Sequence, residues 1–317
     1  MQARGSRTLG LLGLVVALAT TAWVLARDGG AGPPGDREPE GGAHGPATRV
    51  VSLIPAATEI LFAIGAGDRL VGRTRWGVHP PEAAAVPDVG DGIRPSLETV
   101  LAREPDLVVL VEGSDNRGVA GRLASFGVRT LALTHNTLDD LERNIDALGE
   151  AVGCEGSAAR LVTRIREDLE RVAAARDGPP IRVYYDVWPD PPMTIGRGSY
   201  LDSLLTLSGG ENVFGELAAP SPQVSLEAIV RADPDVVLYS AGGGAEAPGE
   251  RPGWEHVPAV AAGRVARIDG DLVGRLGPRV GAAARELARA IRDAAPAPTA
   301  GPPTAAAAAP PPLACAP

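Results

Sequence analysis

A chain of 317 residues, 44% of them hydrophobic, can bury one large core or two ordinary ones. Its formal charge of −9 argues against a nucleic-acid partner, because phosphate binding needs a basic face. All 30 basic residues are arginine, so a Walker phosphate loop and Schiff-base chemistry, which need lysine, are excluded.

Arg4 and Arg7 precede a largely apolar run from Leu9 to Leu25, and Val24, Leu25 and Ala26 offer a small-residue cleavage site. Residues 1–27 therefore read as a signal peptide, or as an uncleaved anchor contacting the membrane through residues 9–25. Arginines ahead of the run favour an exported body in either case. No cysteine follows the run, which argues against a lipid anchor. Residues 28–48 are rich in glycine, proline and acid and read as a flexible linker.

From Arg49 onward, short β-rich runs alternate with helical patterns, which predicts an α/β fold with mainly parallel strands. In residues 49–153, strands are expected at 50–53, 107–111 and 128–133, and helices at 56–64, 117–126 and 138–152. Leu161, Ile165, Leu169 and Val172 then form one apolar stripe. Residues 154–178 accordingly read as a long helix, stopped by Asp177, Gly178, Pro179 and Pro180. In residues 179–294, strands are expected at 182–187, 236–239 and 265–268, with helices at 200–207 and 280–294. The Ala/Pro-rich tail, 295–317, reads as disordered. Cys154 and Cys315 are the only cysteines and are not expected to pair.

The segment SLETVLAREPDLVVL, from Ser96, returns as SLEAIVRADPDVVLYS from Ser225. Such a recurrence predicts two lobes of similar build on either side of the long helix. Each copy sets a serine at a helix start and a glutamate, Glu98 or Glu227, in the first turn. The helix dipole alone stabilises such carboxylates by about 0.3–1 kcal/mol. Each carboxylate can still accept hydrogen bonds from a partner's arginines.

Other candidate chemistry is sparse. Gly242 to Ala247 loosely fits a dinucleotide fingerprint, but Pro248, Gly249 and Pro252 forbid the helix that would hold a pyrophosphate. His44, His79, His135 and His256 lack metal-ligand spacing. No Gly-x-Ser-x-Gly elbow occurs and neither cysteine has an activating context, so no catalytic residue, resident metal or cofactor is expected. Asp271 and Arg275 lie just past the 265–268 strand, where open α/β sheets bind ligands. The bland alternative is a surface ion pair worth about 0–1 kcal/mol. Trp76 and Trp188 also follow strands and suggest stacking platforms, although Trp188 suits a core position equally well.

Taken together, RVVSLIPAATEILFAIGAGDRLVGRT, the two Ser-Leu-Glu…Pro-Asp segments, SGGENVF (208–214) and SPQVSLEAIV (221–230) resemble the iron-siderophore/vitamin B12 class of periplasmic substrate-binding proteins. The resemblance spans about residues 49–292 and is greatest to the cobalamin binders. It implies two doubly wound, Rossmann-like lobes joined by one long helix, a monomer holding a metal chelate such as cobalamin in its cleft for an ABC importer. Glu98 and Glu227 match the acids that dock on the permease dimer. Trp76, Trp188, Asp271 and Arg275 match ligand-binding positions. Gly92, Val111 and Ser221 stand where cobalamin binders often carry aromatics, so a ferric siderophore or haem is the alternative cargo. Two other classes are a tetrapyrrole chelatase, for which His79 is the candidate base, and a membrane-tethered ligand sensor.

Overall fold

The computed structural model describes residues 45–240 and 246–296. The signal segment, residues 28–44 of the linker with His44, Ala241 to Ala245, and the tail from 297 with Cys315 lie outside the described residues. No helix among the described residues is long and apolar enough to cross a membrane.

Two four-stranded parallel sheets organise the chain. The first comprises β1 (Val50–Ser52), β2 (Leu70–Arg73), β3 (Leu107–Val111) and β4 (Arg129–Leu133), in the order β2-β1-β3-β4. The second comprises β5 (Ile181–Asp186), β8 (Gly210–Asn212), β9 (Val236–Ser240) and β10 (Val265–Ile268), in the order β10-β9-β5-β8. Counted from its own first strand, each sheet has the order 2-1-3-4. The repeated sequence thus reflects a repeated topology. Between the two central strands the connections run in opposite directions, which opens a crevice at the strand C-terminal ends.

Four expected elements match their observed bounds: 107–111, 200–207, 265–268 and 280–294. Strand β8 was not expected, because a Gly-Glu-Asn edge strand carries no apolar alternation. Nor was the small hairpin of β6 (Trp188–Pro189) and β7 (Pro192–Met193), whose strands are too short to show a period.

Helix α1 (Pro55–Ala63) starts on a proline, which is preset for a first helical turn, and is buried continuously from Ala56 to Leu61. It is followed by α2 (Leu97–Leu101), α3 (Ser114–Ser125) and α4 (Leu138–Ala151). A 20-residue helix, α5 (Glu155–Ala174), then connects the two sheets. At 1.5 Å per residue it is about 30 Å long. The second lobe adds α6 (Tyr200–Leu207), α7 (Leu226–Ala232), α8 (Pro258–Ala261), α9 (Gly270–Val273) and α10 (Val280–Ala294).

The bridging helix is more than a strap. Leu161, Ile165 and Val172 are buried, and α5 packs on α4 from one side and α10 from the other. One apolar cluster therefore runs from Ile60 and Leu148 through Ile165 to Leu204 and Leu287. Each sheet also covers its outer face with a smaller cluster, around Val108 and Leu110 in the first lobe and around Tyr184 and Val237 in the second. Strands covered on both faces explain the unbroken apolar runs.

The Pro-Asp half of the repeat has a structural task in both lobes. Asp106 accepts from the Thr48 and Arg49 amides, and Asp235 accepts from the Arg182 amide. The Arg49 guanidinium donates to the carbonyls of Arg103 and Glu104, and that of Arg182 to those of Ala232 and Asp233. Glu104 and Asp233, at the same place in the repeat, both adopt left-handed backbone, with φ of 48° and 43°. Each repeat thus seats its first strand against the turn that follows a short helix.

Candidate functional site

All strands of a parallel sheet end on the same edge, and the candidate ligand residues follow such ends. Trp76 lies in the loop after β2, half-buried. That loop is held by the Thr74 amide donating to Ser52 O and the Gly77 amide donating to Thr74 O. Asp271 is in α9, just after β10, and Arg275 follows one turn later.

The structure brings Trp76, Asp271 and Arg275 together. Arg275 Nη1 donates to the Trp76 carbonyl at 3.1 Å, and its Nη2 donates to Asp271 Oδ1 at 3.1 Å. The Asp271 side chain remains 59% exposed, whereas that of Arg275 is 15% exposed. Trp188 lies on the β6–β7 hairpin, half-buried, its Nε1–H donating to Asp190 O. Among the described residues no hydrogen bond joins it to the Arg275 cluster.

Two further residues belong to this locus and escaped the sequence reading. Glu59, on α1, is 2% exposed and takes a forked pair of hydrogen bonds from Arg279, Nε to Oε2 and Nη2 to Oε1, both at 2.8 Å. Arg275 Nη1 stands 3.5 Å from the same carboxylate. The pairing with Glu59 raises the Arg279 guanidinium above its already high value. A signal did exist: an acid inside an otherwise apolar, buried helix cannot remain unpaired. What it lacked was any local hint of the partner.

At the end of β5, Asp186 and Arg251 form a second buried pair, with side chains 2% and 9% exposed and Nη1 2.6 Å from Oδ2. Burial pushes the Asp186 carboxyl up, while Arg251 opposes the shift. The same guanidinium donates to Glu246 O and lies 5.0 Å over the Trp254 ring. It thereby fastens the segment around Trp254 to the second sheet.

Glu98 and Glu227 are both exposed in the first turns of α2 and α7. Ser96 Oγ accepts from the Thr99 amide and Ser225 Oγ from the Ala228 amide, so both serines cap their helices. Neither glutamate has an ion-pair partner among the described residues. The Glu227 amide and the Ser225 hydroxyl hold the Glu227 carboxyl below the usual range. A cavity of about 420 Å³, lined by Arg75, Asp91, Arg94, Ser96 and Thr99 among others, adjoins both the Trp76 loop and the Glu98 turn.

Gly92 occupies a position that no side chain can share. A Cβ there would lie 2.1 Å from the Leu53 carbonyl oxygen. Val111 is partly exposed at the end of β3, and Ser221 is buried. His79 is half-buried in the loop after Trp76; burial pushes the His135 imidazole down.

Residues 50–272 match the periplasmic binding protein family. The chain belongs to that family. This periplasmic binding protein is 32% identical, over 251 residues, to an uncharacterized ABC transporter substrate-binding lipoprotein, YvrC, of Bacillus subtilis, covering 77% of this chain and 79% of that one. It is 30% identical over 239 residues to a vitamin B12-binding protein of Vibrio parahaemolyticus, covering 75% and 86% of the two chains. Among solved structures it resembles the periplasmic heme-binding protein RhuT of Roseiflexus sp. RS-1. The TM-score is 0.70 with 27% identity, covering 78% of this chain and 99% of that one. The chain is an exported substrate-binding protein of the ABC-transporter kind, with Rossmann-like lobes.

Proposed function

We propose that the protein carries a metal chelate, in the first instance a cobalamin-like corrinoid, between its lobes and hands it to an ABC permease dimer. The observation that carries the reading is the joining of Trp76, Asp271 and Arg275, from different lobes, at the strand ends. Trp76 and Trp188 supply apolar contact, and Asp271 and Arg275 polar anchoring. Of the five Arg275 N–H donors, the Nε–H has no hydrogen-bond partner among the described residues and is available to a ligand. The lobes are assigned to residues 49–153 and 179–294, with 154–178 between them. The protein acts as a monomer and without turnover, and residues 9–25, if retained, tether it to the membrane.

Haem is the second reading. It is favoured by Gly92, whose close approach to Leu53 bars an aromatic side chain from that wall. Titration with cyanocobalamin and with haemin, followed by absorbance and calorimetry, decides between them. Failure of both to bind would remove the tetrapyrrole reading, and insertion of metal into a free porphyrin would instead support a chelatase.

Glu98 and Glu227 dock on arginines of the permease. Their exposure and their lack of an ion-pair partner among the described residues support this role. Replacing both with alanine is expected to abolish cellular uptake of the bound chelate and to leave its affinity in solution unchanged. Undiminished uptake would remove the docking role.

A further inference from the structure

We infer that Glu59 is the positioning residue of the cleft: its buried carboxylate locks Arg275 and Arg279 across the lobe boundary and makes this contact the pivot about which the lobes move. The ligand consequence rests on the proposed function, whereas the lock itself does not.

Four observations converge. Glu59 sits on a first-lobe helix whose neighbours Ala56, Ala57, Thr58, Ile60 and Leu61 are all buried. Both carboxylate oxygens are engaged by Arg279, which is 220 residues away in the chain, in the parallel fork that gives a charged hydrogen bond both strength and direction. Arg275 approaches the same carboxylate and also holds the Trp76 carbonyl. Between the two arginines, Gly277 lies directly against α1. A Cβ there would meet Ala56 Cβ at 3.6 Å and Glu59 Oε2 at 3.6 Å. The 275–279 loop of the second lobe is thus seated on the first-lobe helix.

Separating the lobes at this point would break the Arg279 fork and the Arg275 contact on one carboxylate together, and would uncover the seat of Gly277 on Ala56. Charge-assisted hydrogen bonds of this kind are roughly twice as strong as neutral ones. Opening therefore proceeds around the contact, not through it. The Trp76 loop stays with the first lobe, whose β1 holds it through the Thr74 amide, while Arg275 keeps its carbonyl at the pivot, and the mouth widens on the side away from Glu59. A buried ion pair of this kind specifies an arrangement more than it adds stability. Here the specified quantity is the resting distance between Trp76 and Asp271.

The test measures lobe separation directly. Spin labels at Arg122→Cys and Glu255→Cys, exposed sites in different lobes, are placed in a Cys154→Ser, Cys315→Ser background. Pulsed electron paramagnetic resonance on the ligand-free protein then gives the distance distribution. Glu59→Gln and, independently, Arg279→Gln are each expected to make that distribution about twice as broad as in the parent. The exchange Glu59→Arg with Arg279→Glu is expected to narrow it again. An unchanged distribution in a folded Glu59→Gln protein would overturn the inference. If Glu59→Gln does not fold, an unchanged distribution in Arg279→Gln overturns it equally. In a ligand arm, Glu59→Gln is expected to bind whichever of cyanocobalamin or haemin the parent binds about tenfold more weakly or worse. If the parent binds neither probe, the proposed cargo fails while the distance measurement still judges the lock.

Discussion

The two lobes share a strand order, a seating of the first strand by arginine and aspartate, and a left-handed residue after a capped short helix. They diverge at the strand C-terminal ends. There the first lobe presents a buried acid, Glu59, and a loop drawn tight by Gly92. The second presents three arginines, one consumed internally by Asp186 and two reaching out to Glu59. What is repeated builds the scaffold and offers one exposed glutamate per lobe. What is not repeated brings Glu59, Arg275 and Arg279 together across the lobes. Duplication suits a partner with two equivalent docking points, whereas an asymmetric ligand calls for unlike walls.

Three sets of substitutions sharpen that contrast beyond the docking and lock variants. The largest effect is expected in the second lobe. Arg251→Met leaves Asp186 buried without its cation and should cost about 3–5 kcal/mol, read by urea denaturation. Replacing both partners, Asp186→Leu with Arg251→Met, should recover much of that loss.

A first-lobe counterpart is smaller. Asp140 closes a capping box with Thr137 at the start of α4 and also pairs with Arg143. Burial opposes its ionisation, but hydrogen bonds from Thr137, Thr134, Asn136 and Arg143 prevail and hold it at about 2. Because its folded value lies below its unfolded value of 3.8, its contribution is complete above that pH. It is lost as the pH falls toward about 2. Asp140→Asn should cost about 1–2 kcal/mol near neutrality. The gap from the parent should close over that acid range in denaturation curves.

The smallest effect addresses the symmetry itself. Glu104→Gly and Asp233→Gly relieve left-handed backbone at matching positions. Each should stabilise by at most about 1 kcal/mol, the glutamate site by more, since aspartate tolerates that conformation better. Thermal melts that show gains at one site only would argue that the two turns are not equivalent.

Residue by residue, legibility followed locality. Unbroken apolar runs need only their own composition to announce a covered strand, as Leu107 to Leu110 and Val236 to Leu238 show. Ser96 and Ser225 announced their helix starts because a cap bonds an amide three residues away. Strand β8 stayed hidden because an edge strand of Gly, Glu and Asn is stabilised by its neighbour's hydrogen bonds and not by its side chains. Of the expected ligand residues, Trp76, Asp271 and Arg275 meet at one locus, whereas Trp188 stands on a hairpin the sequence did not reveal.

By itself, the sequence determined two similar lobes, a helix between them and a matched pair of exposed glutamates. These follow from patterns written within a few helical turns or strand lengths. Tertiary structure alone decided that Arg275 serves Glu59 and Trp76 as well as Asp271, and that Arg279 completes the pair. The physical reason is that a buried charge must find its counter-charge wherever the fold puts one. Here that lies in the other lobe, 220 residues along the chain.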